Sequence, residues 1–198
     1  MRRSLWTLLL LLAFAAPAEA QQVRVRGKIE AVDLPVISVR TREGPVIKIR
    51  LSDGFTVATT IKASLEEINE KSYIGTAAMP QPDGTLKALE VHIFSEAQRG
   101  AGEGSRDFDL EPGSTMTNAT VSGAVKGASA TQLTLTYPGG QKTVILPPGV
   151  PIVRNVPGAA SDVKPGVGII VFSAEPQSDG TVKAARITVG KDGVDPPM

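Results

Sequence analysis

Apolar and polar residues alternate with a period of two along most of this chain. In residues 23–29, apolar or small residues alternate strictly with basic ones. Such a period is typical of half-buried β-strands. The strands predicted for the first half are 23–29, 37–40, 46–51, 73–79 and 86–94, with a short extended piece at 55–60. Between the third and fourth strands, Ser64 and Glu67 have capping-box spacing, which predicts a short helical turn at 63–68.

The second half repeats the first. Residues 80–91 read PQPDGTLKALEV and residues 176–187 read PQSDGTVKAARI, with seven of twelve positions identical at an offset of 96. The same offset aligns Gly27 with Gly123, and a one-residue slip aligns Gly54 with Gly149. A repeat of this length indicates two copies of one supersecondary unit.

Three strands, a helical turn and two strands follow the order of the OB-fold. We therefore predict an all-β protein: two tandem OB-like five-stranded β-barrels joined by a Gly-rich acidic linker, each with one short helical turn. A pair of open β-sandwich modules is the alternative. The predicted bounds are a signal peptide at 1–20, barrels at 21–95 and 118–190, a linker at 96–117 and a disordered tail at 191–198. Gly27 is predicted at a barrel corner that a side chain would crowd.

The amino terminus predicts export. Arg2 and Arg3 precede an apolar run, and Ala18-Glu19-Ala20 fits a signal-peptidase site, so we expect cleavage after Ala20 and a periplasmic protein. The run is shorter than the ~20 residues of a membrane-spanning helix, and no later segment approaches that length. We therefore expect no membrane span.

Composition excludes several classes of function. The chain has 21 basic and 20 acidic residues; Arg2, Arg3 and Glu19 leave with the signal, so 19 of each remain. A neutral chain has no bulk attraction for nucleic acid, and the predicted binding strands hold few aromatic stacking platforms. Cysteine is absent, which excludes disulfides and thiol chemistry. We predict no nucleic-acid partner and no cofactor.

The linker is not wholly polar. Residues 99–106 are glycine-rich, but Phe108 and Leu110 follow among acidic residues. A solvated tether would not need these side chains, so we expect them to dock on a barrel.

A basic stripe is the best-formed surface feature of the first repeat. If the apolar residues of strands one to three face the core, six basic residues face outward together: Arg24, Arg26, Lys28, Arg40, Lys48 and Arg50. The second repeat lacks them, so the fold does not require them. The stripe predicts a patch for an anionic partner; the alternative is a solvated face, covered in part by the acidic linker.

Metal binding and catalysis have weaker support. His92 is the only histidine, and Glu90 lies on the same strand face. This pair supplies two ligands where a tetrahedral site needs three or four. Alternation places His92 outward, so we expect an ordinary surface histidine. No residue pattern indicates acid–base or nucleophilic catalysis, and we predict that the protein is not an enzyme.

Several short motifs resemble those of a bacterial exported family with small OB-like β-barrel repeats and no assigned function. They are Gly-x-Ile/Val on the first strand, Ile37-Ser38-Val39 and Leu133-Thr134-Leu135, the turn 163–166 and the closing Asp-Gly-Thr-x-x-Ala hairpins. Relatives carrying a segment like 112–119 are sometimes labelled parts of a metal transporter permease. A permease needs several spanning helices, so the resemblance implies at most an accessory protein.

Together these patterns predict a non-catalytic periplasmic binding or scaffold protein that engages an anionic envelope component or a protein through the first barrel. The alternative is a periplasmic accessory protein for metal handling that uses His92. The sequence specifies neither the partner nor the oligomeric state.

Overall fold

A computed structural model describes residues 22–127 and 130–196, and most of them lie in β-strands. The predicted signal peptide lies outside the described residues. The strands are β1 (Val23–Asp33), β2 (Val36–Thr41), β3 (Val46–Lys62), β4 (Tyr73–Pro80), β5 (Leu86–Ile93), β6 (Gly104–Asp107), β7 (Thr115–Lys126), β8 (Thr131–Tyr137), β9 (Gly140–Leu146), β10 (Ile152–Pro157), β11 (Gly168–Pro176) and β12 (Val182–Gly190). Short 3-10 turns lie at Leu65–Glu67, Glu96–Gln98 and Ala160–Asp162. In this part of the chain, no helix has the length and apolar character needed to cross a membrane.

The first barrel is a closed ring of β1, β2, β3, β12 and β11. All its pairings are antiparallel except β3 with β12, which is parallel. Alternate residues of these strands fill the interior, among them Ile37, Ile49 and Ile187, none of which is exposed. The 3-10 turn at Ala160–Asp162 leads into β11, and Val163 closes this core.

The second barrel is a ring of β7, β8, β9, β5 and β4, again with one parallel pairing, between β5 and β9. Ile74, Val91 and Leu135 belong to its interior. The strands can be counted as β1, β2, β3, β11, β12 in the first ring and as β7, β8, β9, β4, β5 in the second, where the closing hairpin comes first in the chain. In this count the first strand lies beside the fourth and the third beside the fifth, which is the Greek-key order of the OB-fold. The predicted fold class, two OB-like five-stranded barrels each with one helical turn, is confirmed.

The repeats and the barrels do not coincide. Each barrel combines the first three strands of one repeat with the closing hairpin of the other. The second barrel is consequently the continuous segment 63–152, inserted between the third and fourth strands of the first. The predicted bounds 21–95 and 118–190 are therefore wrong. The chain does not turn back after β3, because β3 continues to Lys62 and pairs with β10.

A pseudo-twofold axis relates the two repeats. β3 and β10 run antiparallel, and Thr60 lies opposite Asn155, its own counterpart in the repeat. The Thr60 hydroxyl donates to the Asn155 side-chain oxygen at 2.8 Å. The two barrels thus meet along the β3–β10 pair.

The predicted linker is an ordered crossover segment (residues 95–114). Its strand β6 pairs with the start of β7, so the last predicted linker residues belong to the second barrel. Phe108 and Leu110 pack on Ala77 and Met116, which confirms the expected docking.

The predicted disordered tail is wrong for residues 191–196. Lys191 bridges to Val194, Asp195 lies 3.5 Å from the Lys28 amine, and Pro196 is buried. These contacts place the tail against β1 of the first barrel. Residues 197–198 lie outside the described residues.

Candidate ligand-binding site

The basic stripe lies on the outer face of β1 to β3, but much of it is internally paired. Arg40 contacts Glu30 at 2.6 Å, and Lys28 contacts Asp195. Within the described part of the chain, Lys48 and Arg50 form no ion pair, and both are exposed. The stripe is a contiguous face, yet four of its six basic residues, Arg24 and Arg26 included, pair with carboxylates of the same chain.

Arg24 and Arg26 hold the crossover segment. Both donate to one oxygen of Asp109, at 2.7 and 2.8 Å. The hydrogen bond from Arg26 lowers the pKa of Asp109 to about 2. The Arg24 guanidinium also lies 5.1 Å from the Phe108 ring centroid and 5.7 Å from that of Phe172, within the range of cation–π contacts.

His92 is not an ordinary surface histidine. It points outward from the second barrel, as alternation predicted, but it is only 2% exposed because neighbouring elements cover it. On this outer face His92 pairs with Gly75 of β4, which in turn pairs with Asn118 of β7. A Cβ atom at Gly75 would lie 2.8 Å from the Asn118 oxygen and 3.0 Å from the Phe94 ring. The glycine therefore leaves room for the surrounding polar and aromatic side chains.

Two buried polar atoms on either side of Gly75 have no hydrogen-bond partner among the described residues: His92 Nε2 and Asn118 Oδ1. The Asn118 amide nitrogen donates to the carbonyl oxygen of Ala101 at 3.0 Å, which fixes the orientation of the amide. Burial lowers the pKa of His92 to about 4, so the imidazole is neutral at pH 7. An unsatisfied buried polar group costs about 1–3 kcal/mol.

Glu90, the other predicted metal ligand, lies on the same outer face and is 1% exposed. Neither carboxyl oxygen has a hydrogen-bond partner in the described structure. Burial raises the pKa of Glu90 to about 8, against the opposing charges of Arg26 and Arg42. Glu90 therefore carries a proton at pH 7 and adds no negative charge there.

A cavity of about 310 Å³, the junction pocket, opens where the two barrels and the crossover segment meet. It is lined by Arg24, Ala58, His92, Phe94, Gln98, Ala101, Gly102, Arg106, Phe108, Met116, Asn118, Asn155, Phe172, Arg186 and Thr188. Its charged side chains are all arginines, and its apolar side chains include three phenylalanines and Met116. A wider groove of about 820 Å³ continues from it, sharing Ala58, Gln98, Asn155 and Arg186.

The junction pocket straddles the pseudo-twofold axis. At the offset of 96, His92 corresponds to Thr188 and Glu90 corresponds to Arg186. His92, Thr188 and Arg186 all line the pocket. Equivalent positions of the two repeats thus contribute different side chains to one cavity.

A smaller cavity of about 230 Å³ lies on the basic stripe, lined by Arg26, Lys28, Arg40 and Arg42 among others. Asp195 also lines it and pairs with Lys28. An anion in this cavity would compete with an internal carboxylate. In the junction pocket it would meet no carboxylate among the lining residues described above, so we take the junction pocket as the candidate site.

Comparison with known proteins adds no assignment: no protein-family model, no curated protein and no solved structure matches this chain. Within the described residues, no group of three or more acidic or histidine side chains could hold a metal ion.

Proposed function

We propose that the protein is a non-catalytic periplasmic binding protein that takes an anionic ligand in the junction pocket. The observation that carries this proposal is the pair of unpartnered buried atoms, His92 Nε2 and Asn118 Oδ1, on two residues that line a cavity whose charged side chains are all arginines. A ligand that forms hydrogen bonds with both atoms recovers the free energy that their burial costs.

The arginines set the sign of the ligand's charge. Arg106 and Arg186 form no ion pair within the described part of the chain, whereas Arg24 is paired with Asp109. Arg106 donates to the Gly102 carbonyl, and Arg186 has only a long contact, 3.4 Å, with the Thr56 hydroxyl. Both retain donors for a carboxylate or phosphate, to which guanidinium groups form strong charge-assisted bonds.

The site is arranged for binding rather than for acid–base catalysis. His92 and Glu90 are both uncharged at pH 7, and no hydrogen bond joins them in the described structure. General acid–base catalysis favours a pKa near the working pH. The pKa of His92, about 4, lies well below it, and Glu90, whose pKa is about 8, does not line the pocket. The predicted engagement of an anionic partner is retained, with the site moved from the stripe to the junction pocket.

The test is calorimetric titration of residues 21–198 with benzoate, 4-hydroxyphenylacetate, succinate and phosphate. We expect at least one anion to bind with an affinity that falls as salt rises. Arg186→Ser should weaken that binding about tenfold, the scale of one charge-assisted hydrogen bond. The matched variant Arg50→Ser, on the stripe and outside the pocket, should leave it unchanged; the reverse pattern would return the site to the stripe.

The metal-handling alternative is favoured by one specific observation. Met116, which the sequence could not place near His92, lines the same pocket. A neutral imidazole and a thioether are suitable ligands for Cu(I). If this alternative holds, the protein purified from the periplasm should carry stoichiometric copper by elemental analysis. His92→Ala and Met116→Leu should each remove it, while Glu90→Gln tests whether the carboxyl contributes.

A further inference from the structure

We infer that the ligand of the junction pocket is an aromatic carboxylate that carries a hydroxyl group. This inference rests on the proposed function and names the chemical class of the anion. Three features of the pocket carry it: its volume, its aromatic walls and the hydrogen-bond demand of Asn118.

The volume limits the size of the ligand. An apolar cavity of about 150 Å³ accommodates benzene, and the junction pocket offers about 310 Å³. A single ring with a short acidic side chain, about a dozen non-hydrogen atoms, fits this space. A larger ligand would have to extend into the adjoining groove.

The walls favour a flat apolar body. Phe94 lies 4.7 Å from the His92 ring, and the two planes are tilted by 52°. The Arg24 guanidinium lies 5.1 Å from the Phe108 ring centroid and 5.7 Å from that of Phe172, which remains 44% exposed. A ligand ring could cover Phe172 and pack against Phe94 in the offset or tilted arrangements that aromatic pairs prefer.

The polar atoms require a hydrogen-bond donor on the ligand, and a hydroxyl supplies a donor and an acceptor in one small group. The amide nitrogen of Asn118 is already bonded to Ala101, so its free atom is the oxygen, which only accepts. A carboxylate also only accepts hydrogen bonds and cannot satisfy it. A hydroxyl can donate to Asn118 Oδ1 and accept from a protonated Nε2 of neutral His92. The carboxylate of the same ligand is then left for Arg186 and Arg106, whose forks suit bidentate contact.

Calorimetric titration of the full mature chain with four matched probes tests this inference. We use 4-hydroxyphenylacetate, phenylacetate without the hydroxyl, 4-hydroxyphenylethanol without the charge, and succinate without the ring. We expect 4-hydroxyphenylacetate to bind best and each other probe to bind at least about tenfold more weakly. That loss is the scale set by one unpaired buried polar group or one lost charge-assisted contact.

Variants link the preference to the pocket. Asn118→Ala should make 4-hydroxyphenylacetate and phenylacetate bind equally, while the exposed Ser122→Ala on the same strand should preserve the difference. Because Asn118→Ala also removes the bond to Ala101, circular dichroism must show an unchanged fold, and His92→Phe serves as a second variant with the same expected loss.

The outcomes separate the two levels of the proposal. Equal binding of phenylacetate, or tighter binding of succinate, with dependence on Arg186 overturns the hydroxyaryl class and leaves the anion-binding function in place. Absence of salt-sensitive binding for every anion overturns both.

Discussion

The two barrels share one plan, but the chain builds them differently. The second is a continuous segment, residues 63–152, whereas the first is assembled from both ends of the described chain. Closing the first barrel requires the ends of a 90-residue insertion to meet, a loop-closure cost on the order of 4 kcal/mol if the insertion is unfolded. A folded second barrel holds those ends together at the β3–β10 pair. The first barrel should therefore depend on the second more than the reverse.

The outer faces of the two closing hairpins also differ. The residues that the two hairpins turn toward the barrel interiors are equivalent. On the outer faces, the second barrel carries Glu90 and His92 where the first carries Arg186 and Thr188. A duplicated fold must keep its interior apolar, while positions between the two copies are free to diverge. Here they diverge around one shared pocket.

The largest expected effect tests whether the first barrel depends on the second for its stability. Leu135→Ala in the second barrel and Ile49→Ala in the first each remove a fully buried side chain, at a cost of about 4 kcal/mol. The two tyrosines of the chain, Tyr73 and Tyr137, both belong to the second barrel, and in residues 21–198, which exclude Trp6, they report on it by emission. We expect Leu135→Ala to lower the unfolding midpoint by circular dichroism and by tyrosine emission. Ile49→Ala should lower the midpoint measured by circular dichroism and leave the midpoint measured by tyrosine emission nearly unchanged.

Equal effects of the two substitutions on tyrosine emission would show that the barrels unfold as one unit. The asymmetry between a continuous and an assembled barrel would then have no energetic consequence.

The next effect sharpens the comparison of the hairpins. Glu90 in the fold has a pKa of about 8, above its ordinary value of 4.5. Between those values the unfolded chain has released a proton that the folded protein retains, so the free energy of unfolding falls as pH rises. The linkage is on the order of 3 kcal/mol at pH 7. Glu90→Gln should remove it, with little effect at pH 4.

His92 acts in the opposite direction. Its folded pKa of about 4 lies below the ordinary 6.5, so between these values the free energy of unfolding rises with pH. The two linkages oppose each other from pH 4.5 to 6.5, and the Glu90 effect alone remains from 6.5 to 8. Denaturation of wild type and Glu90→Gln across pH 4–9 measures this. A parallel decline in both proteins above pH 6.5 would contradict the assignment to Glu90.

A smaller effect separates the two barrel corners. A Cβ atom on Gly27 would collide with the backbone carbonyl of Arg40, whereas at Gly123 the nearest atom, on Thr134, would be 3.7 Å away. We expect Gly27→Ala to lower the free energy of unfolding by about 2 kcal/mol through crowding. Gly123→Ala should change it by less than about 0.5 kcal/mol. Matching losses in urea denaturation would mean that both corners are equally tight.

The smallest effect concerns the crossover segment. Asp109→Asn removes the charge that Arg24 and Arg26 share, and because Asp109 is half exposed we expect less than about 1 kcal/mol. Amide hydrogens of residues 104–110 should nevertheless exchange faster than in the matched variant Asp107→Asn. Unchanged exchange would show that Phe108 and Leu110 alone hold the segment.

Local patterns predicted the fold class and failed on the connection between its parts. The period of two, the Asp-Gly-Thr turns and the apolar Phe108 among acidic residues are all signals within a few neighbouring residues. Asp83 and Asp179 each accept a hydrogen bond from the threonine two residues on, at 2.9 Å, as the repeated turn implies. The closing hairpins are so similar that either could complete either ring. No pattern in them therefore indicates the hairpin exchange, in which each hairpin closes the barrel of the other repeat.

The candidate site shows the same limit. Alternation placed His92 on the outer face of β5 correctly, but it says nothing about what lies above a strand. The hairpin exchange and the crossover segment bring three further residues to the pocket that His92 lines: Asn118, Arg106 and Arg186. The signal available in the sequence was the divergence of His92 from Thr188 inside an otherwise repeated hairpin.

The exchanged hairpins create the junction pocket, and disulfide trapping tests the exchange most directly in this cysteine-free chain. Arg50 and Lys183 are exposed neighbours on β3 and β12, at the spacing of adjacent strands that a disulfide can bridge. Lys87 is the counterpart of Lys183 in the first repeat and lies in the other barrel. Mild oxidation should crosslink Arg50→Cys/Lys183→Cys within one chain and leave Arg50→Cys/Lys87→Cys reduced. An intrachain disulfide in the second variant and none in the first would contradict the exchange.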